Sequence, residues 1–289
     1  MPVAGPLDLK ATLESGQVFR WELHDGCYWG VIGGHGYVLR QDGGGVRVRT
    51  DVERPNPWPL PSKGRGIDEA RRSVGAFLRL DDDFEATCRE MEDDACLREA
   101  LAACRGLRIL RQEPWECLAS FICSSVSNIP RISRDLRRVA ETYGESLELE
   151  DRVLHRFPTA ERLAEVGEAA LARLGLGFRA AYVAAAAEAV AGGRLDLASL
   201  RQASYAEAKV ALMSLRGVGE KVADCVLLFS LDRLEAFPLD RWVRRALADW
   251  YGQGERVRYA DSLAWAQARW GRRAGYANQY LFNYRRSLG

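Results

Sequence analysis

The 289 residues carry 41 Lys plus Arg against 40 Asp plus Glu, at 47% hydrophobic and 28% charged, which excludes a disordered chain or a one-signed charged tail and requires any basic surface to be local. The seven cysteines are odd in number and form no C-x-x-C pair, against a disulfide framework or zinc knuckle, and Cys225 is the one thiol in the last hundred residues, so no four-thiolate iron–sulfur cluster forms there. No run approaches the ~20 apolar residues of a membrane span, and the start lacks a basic then apolar leader, so no membrane partner and a cytoplasmic or nuclear location are expected.

From Gly16 to about Thr50, short runs rich in Val, Tyr, Trp and Phe alternate with Gly and Asp. Gln17–Leu23, Cys27–Ile32, Tyr37–Arg40 and Val46–Arg49 predict an antiparallel meander. Asp51 to Arg65 holds four of the ten prolines and predicts a connecting loop. Beyond Gly66 the period turns helical. Ile67–Leu80 and Asp94–Cys104 carry apolar residues at three- and four-residue spacings, Thr159 precedes a helix, Gly175 and Gly177 stop one, and Ala180–Ala191 is nearly all strong helix former. The expected fold class is α+β. An N-terminal antiparallel β domain with its proline loop and first helices spans 1–100, and a larger all-helical domain spans 101–289 with a hairpin at 204–231.

Ser204 and Glu207 form a capping box, Gly217-Val218-Gly219 breaks the helix that follows, and Glu220–Leu231 starts another. Glycines at Gly217 and Gly219 let backbone N–H groups approach a phosphate, although any tight interhelical turn favours glycine. Lys221 is the sharper signal. It sits in a first helical turn, where the dipole disfavours a cation and favours the neutral amine of a nucleophile. Only four of the 41 basic residues are Lys (Lys10, Lys63, Lys209, Lys221), and the other three read as surface lysines. Asp240, opening the helix Arg241–Tyr251, reads as an N-cap that its N–H partners keep ionised, and as a fixed carboxylate able to steady a cationic sugar transition state.

L-R-G-V-G-E-K-V-A-D-C followed by F-P-L-D resembles the helix-hairpin-helix (HhH-GPD) DNA glycosylases, in particular their 8-oxoguanine glycosylase/AP lyase branch. Leu7–Trp21, Leu110–Ser125, Leu174–Tyr182 and Ala274–Phe282 match further blocks of that family in order, so the resemblance covers nearly the whole chain. It implies a monomeric base-excision-repair enzyme acting on double-stranded DNA that contains oxidised guanine. Lys221 would attack C1′ with Asp240 assisting, and β-elimination would nick the strand. It requires no cofactor and leaves room for a structural cation at the hairpin loop.

The same resemblance implies that the target base is flipped into a pocket. Oxidation turns N7 of guanine from an acceptor into an N–H donor, which a fixed carbonyl rewards, and the family uses the carbonyl aligned with Gly16. Phe282 and Cys225 match the groups on the two faces of the flipped base, though both also read as core residues. Asn278, with Gln279 as alternative, falls where a glutamine meets the Watson–Crick edge. Phe178 is the implied wedge, Arg131 and Arg179 read the opposite cytosine, and Arg134, Arg137 and Arg138 form a solvated face. Three asparagines of the family are here Val126-Ser127-Asn128, and Trp242 replaces a histidine on the phosphate side, so Asn128 and Trp242 join Gly217 and Gly219 as expected DNA contacts. The rival readings are a glycosylase for alkylated bases, which can lack the lysine, and a non-catalytic hairpin module.

Overall fold

The computed structural model describes residues 1–51, 66–254 and 256–289, so the expected proline loop lies, from Val52 onward, outside the described residues. The chain opens on a helix, α1 (Leu9–Glu14), capped by Asp8, whose side chain accepts from the Ala11 N–H. The first strand, expected over Gln17–Leu23, is only β1 (Glu22–His24). The reason is Gln17. Its buried amide donates to the carbonyls of Thr12 and Arg108 and accepts from Leu110 N–H, which fixes this segment as a turn beneath α1 rather than a ladder partner.

β1, β2 (Cys27–Ile32), β3 (His35–Asp42) and β4 (Gly45–Thr50) form the meander in chain order, with Tyr28 opposite Leu39 and Leu39 opposite Val48. Tyr28, Tyr37, Leu39 and Val46 pack with Leu9 and Leu13 against Val74 and Phe77 of α2 (Gly66–Phe77). A short helix absent from the sequence reading, α3 (Phe84–Met91), precedes α4 (Ala95–Ala103), α5 (Pro114–Cys123) and α6 (Ile129–Tyr143). A second departure follows. The helical part carries a two-stranded hairpin, β5 (Ser146–Leu149) and β6 (Arg152–His155), whose Leu149 packs on Trp29 and Val38 of the first sheet.

The remaining helices are α7 (Ala160–Leu171), α8 (Arg179–Ala191), α9 (Leu197–Leu200), α10 (Tyr205–Met213), α11 (Glu220–Ser230), α12 (Arg241–Tyr251), α13 (Tyr259–Trp270) and α14 (Ala274–Ser287). A π turn over Ala172–Leu176 holds Gly175 at φ 93°, which is how the glycine expected to stop α7 does so. The Ser204–Glu207 capping box is present on α10. α5 and α11 are buried along nearly their whole length and meet at the centre, where the Phe121 and Phe229 rings stack 5.5 Å apart. Each such buried aromatic contributes roughly 1.5–3 kcal/mol, which makes the helix bearing Lys221 a rigid support. No described helix is long and apolar enough to cross a membrane.

Candidate active site

Gly217 lies at φ 85°, and a Cβ there would sit 2.3 Å from Cγ of Tyr182, so both conformation and packing demand glycine. Gly219 differs. It is the N-cap of α11 at φ −96°, it has open space where a side chain would be, and no side chain caps the helix. The first N–H groups of α11 are therefore free donors beside a gap, the arrangement an anion uses.

Lys221 follows on the first turn. Its Nζ donates to Ser124 Oγ at 3.0 Å and lies 5.2 Å from the centre of the Phe121 ring. One turn further, Cys225 is buried, and burial, opposed by the adjacent Lys221 amine, pushes its thiol up to about 12, so it remains a neutral thiol. Asp240 caps α12, with Oδ1 accepting from Trp242 N–H at 2.9 Å and Val243 N–H at 2.8 Å. These N–H groups favour the ionised form, as expected, but burial works against them. It outweighs them and Lys221 together and raises the pKa of Asp240 above the ordinary value.

The reading of Lys209 as a surface lysine is wrong. Its Nζ meets Asp224 Oδ2 at 3.1 Å, with side chains only 12% and 0% exposed. Asp224 also accepts from Tyr205 and Tyr259 hydroxyls, each at 2.6 Å, and the Tyr259 oxygen accepts from Leu239 N–H at 3.2 Å. The network ties the helix of Lys221 to the loop of Asp240. Sequence reasoning missed it because its members, Tyr205, Lys209, Asp224 and Tyr259, come from three helices with no shared period. Lys10 is exposed and paired with Glu14, while Lys63 lies outside the described residues.

Gly16 sits at φ 80° in the turn after α1, where a Cβ would stand 2.8 Å from Cδ1 of Ile129 and 3.6 Å from Nη1 of Arg286. That guanidinium lies 5.2 Å from the centre of the Phe282 ring and is drawn electrostatically to Asp240, which links the turn, α14 and the start of α12. Asn278 is buried on α14 and donates to the Pro238 carbonyl at 2.9 Å. Gln279, its alternative, donates to the Ser15 carbonyl at 3.1 Å. Sequence reasoning passed over Ser124 and Arg286. The first lies in the matched block Leu110–Ser125 without a role of its own, and the second is one of two adjacent C-terminal arginines.

The residues expected at the opposite base come from the starts of α6 and α8, with Arg179 bonded to the Ser124–Val126 segment. Arg179 is buried and donates to the carbonyls of Ser125 at 2.8 Å and Val126 at 2.7 Å, so its donors are engaged with backbone. Phe178 is 52% exposed, its ring edge-on to Tyr182. Arg131 is exposed and reaches Asp135 at 3.4 Å, and Asn128 caps α6 through Arg131 N–H at 3.0 Å. Val126 is 89% exposed at φ 50°, a left-handed conformation that a β-branched residue strongly disfavours. The guanidiniums of Arg241 and Arg245 stand 4.9 Å and 5.2 Å from the Trp242 ring, a basic-aromatic cluster signalled by R-W-V-R-R and left unread.

The family model described as "8-oxoguanine DNA glycosylase, N-terminal domain" matches residues 3–118, and that described as "HhH-GPD superfamily base excision DNA repair protein" matches residues 119–269. N-glycosylase/DNA lyase OGG1 of Arabidopsis thaliana is 35% identical over 82% of this chain, which spans 64% of that relative's length. The structure of MBOgg1 in complex with a low-affinity DNA ligand superposes with a TM-score of 0.90 at 32% identity, covering 99% of this chain and 94% of the other. The Clostridium acetobutylicum 8-oxoguanine glycosylase/lyase, bound to duplex DNA with cytosine opposite 8-oxoguanine, gives 0.89 at 29% identity, covering 99% and 93%.

Proposed function

From the premise that this chain belongs to the HhH-GPD superfamily of base-excision DNA repair proteins, we propose that it excises 8-oxoguanine from duplex DNA and then cleaves the strand as an AP lyase. The observation that carries this is the convergence on one site of a helix-N-terminal amine, Lys221, with a buried helix-capping carboxylate, Asp240. A phosphate-binding module needs neither.

The neutral Lys221 amine gives its lone pair to C1′, the C1′–N9 bond breaks, and the base leaves with that electron pair and gains a proton at N9. Asp240 steadies the positive sugar during this exchange. Loss of the amine proton and opening of the sugar at O4′ yield an imine. Removal of a C2′ proton expels the 3′ phosphate, and water hydrolyses the imine to regenerate Lys221. Gly16 supplies the carbonyl that accepts from N7–H, Cys225 and Phe282 bracket the flipped base, and Asn278 stands at its edge. Phe178 fills the gap left in the duplex, while Arg131 and Arg179 donate to the orphaned cytosine, Arg179 by releasing the Ser125 and Val126 carbonyls. Asn128, Gly217, Gly219 and Trp242 meet the backbone, with Arg241 and Arg245 beside the tryptophan. Duplex DNA as substrate supports a cytoplasmic or nuclear location.

A nicking assay on a duplex containing 8-oxoguanine opposite cytosine tests the reading. Free base and a cut strand are expected; base release without a cut indicates an alkyl-base type of enzyme, and intact DNA a binding module.

Val126 sets opposite-base fidelity. Its isopropyl group offers an orphaned base no hydrogen bond, and its left-handed backbone is strained. Asparagine tolerates that conformation, so Val126→Asn should raise stability by about 1 kcal/mol. It should also steepen the preference for cytosine over adenine about tenfold by restoring an amide donor. Thermal melting and paired excision rates measure the two effects, and an unchanged ratio means cytosine is read elsewhere.

A further inference from the structure

The turn that carries Gly16 has its carbonyls committed in an unusual pattern. The Glu14 carbonyl accepts from Arg286 Nη2 at 3.1 Å, the Ser15 carbonyl from Gln279 Nε2 at 3.1 Å, and the Gln17 carbonyl from Gln112 Nε2 at 2.9 Å. The Gln17 side chain is itself fixed at Thr12, Arg108 and Leu110. Among the described residues, the oxygen of Gly16 alone in this run accepts no hydrogen bond. Three long side chains from distant parts of the chain thus hold every neighbour of one free acceptor. Gln279 and Gln112 are only 3% and 9% exposed, so these amides are committed to the turn rather than to solvent.

We propose that Gln279, Arg286 and Gln112 are positioning residues for lesion discrimination, pinning the turn so that the Gly16 carbonyl is held rigid as its one open acceptor. The inference rests on the reading of Gly16 above. A carbonyl free to rotate would turn away from the N7 lone pair of guanine and would also lose its bond to the N7–H of the lesion. Discrimination by one proton requires the acceptor to be immobile, because a misplacement of a few tenths of an ångström already weakens a buried hydrogen bond.

The pin should matter only when a base is present. The lyase reaction on a preformed abasic site uses Lys221 and Asp240 but has no N7–H to read. Gln279→Met keeps the side-chain volume and removes the donor, so excision of 8-oxoguanine should fall about tenfold, the effect of one lost hydrogen bond. Cleavage at a preformed abasic site should stay within about twofold of wild type, since no bond to a base is at stake. Gln112→Met should give the same split, although among the described residues Gln112 bonds Gln17 and Phe229 alone and cannot be a direct reader of the base edge. A parallel fall in both activities would reduce the residues to general supports and overturn the proposal, as would no change in either. If the wild-type protein leaves 8-oxoguanine in place, the fault lies instead with the function proposed above.

Discussion

Borohydride should trap no protein–DNA adduct with Lys221→Gln, and release of 8-oxoguanine should fall by on the order of 10⁴- to 10⁶-fold, the loss that follows removal of a nucleophile. Glutamine reaches one atom less far than lysine and gives up the bond from Nζ to Ser124 Oγ, a loss of about 1 kcal/mol, while its stem should still cover the face of Phe121. Thermal stability should therefore stay close to wild type while chemistry disappears. Lys221→Arg should fail as completely, because a guanidinium stays protonated and has no lone pair for C1′. Lys209 cannot take over, since its amine is committed to Asp224 and packed near the rings of Tyr205 and Tyr259. Trapping that persists in Lys221→Gln would assign the nucleophile to another amine.

Much of this arrangement is legible in the sequence, for identifiable reasons. Glycine marks the hairpin because only a residue without Cβ fits at Gly217 against Tyr182, and the four-strand meander is announced by turn glycines such as Gly26 and Gly33 at positive φ. Lys221 stands out because lysine is rare in a chain so rich in arginine. What stays hidden is whatever depends on side chains meeting across long separations. Gln17 and Gln112 look like surface glutamines and are buried hydrogen-bond brackets. Asp224, on the same helix as Lys221, has nothing in its local sequence to mark it and is fully buried, held by Tyr205, Lys209 and Tyr259. The β5–β6 hairpin escaped because only Leu147 and Leu149 of its first strand are buried, too short an alternation to stand out between charged residues. The strain at Val126 is invisible without a backbone.

Asp240 joins these two kinds of information, and its substitution separates a cap from a catalyst. In Asp240→Asn the side-chain oxygen can still accept from the Trp242 and Val243 N–H groups, so α12 keeps its start. The charge opposite the developing sugar cation is gone, and single-turnover excision should fall about 100- to 1,000-fold, as when one preorganised electrostatic group is removed. Burial has raised the pKa of Asp240, so the folded protein binds this proton more tightly than the unfolded chain does. Stability linked to the group is therefore present at low pH and is lost as pH rises through the folded pKa. Two consequences separate the roles. Wild-type excision should decline on acidification at a pH above the ordinary carboxylate range, and Asp240→Asn should lack that limb. At neutral pH the variant should melt above wild type, because it no longer keeps a desolvated charge, and the gap should close as pH is lowered. A variant that melts lower and turns over normally would make Asp240 a cap alone; one that melts higher and turns over slowly means that the buried charge is maintained for catalysis at the expense of the fold.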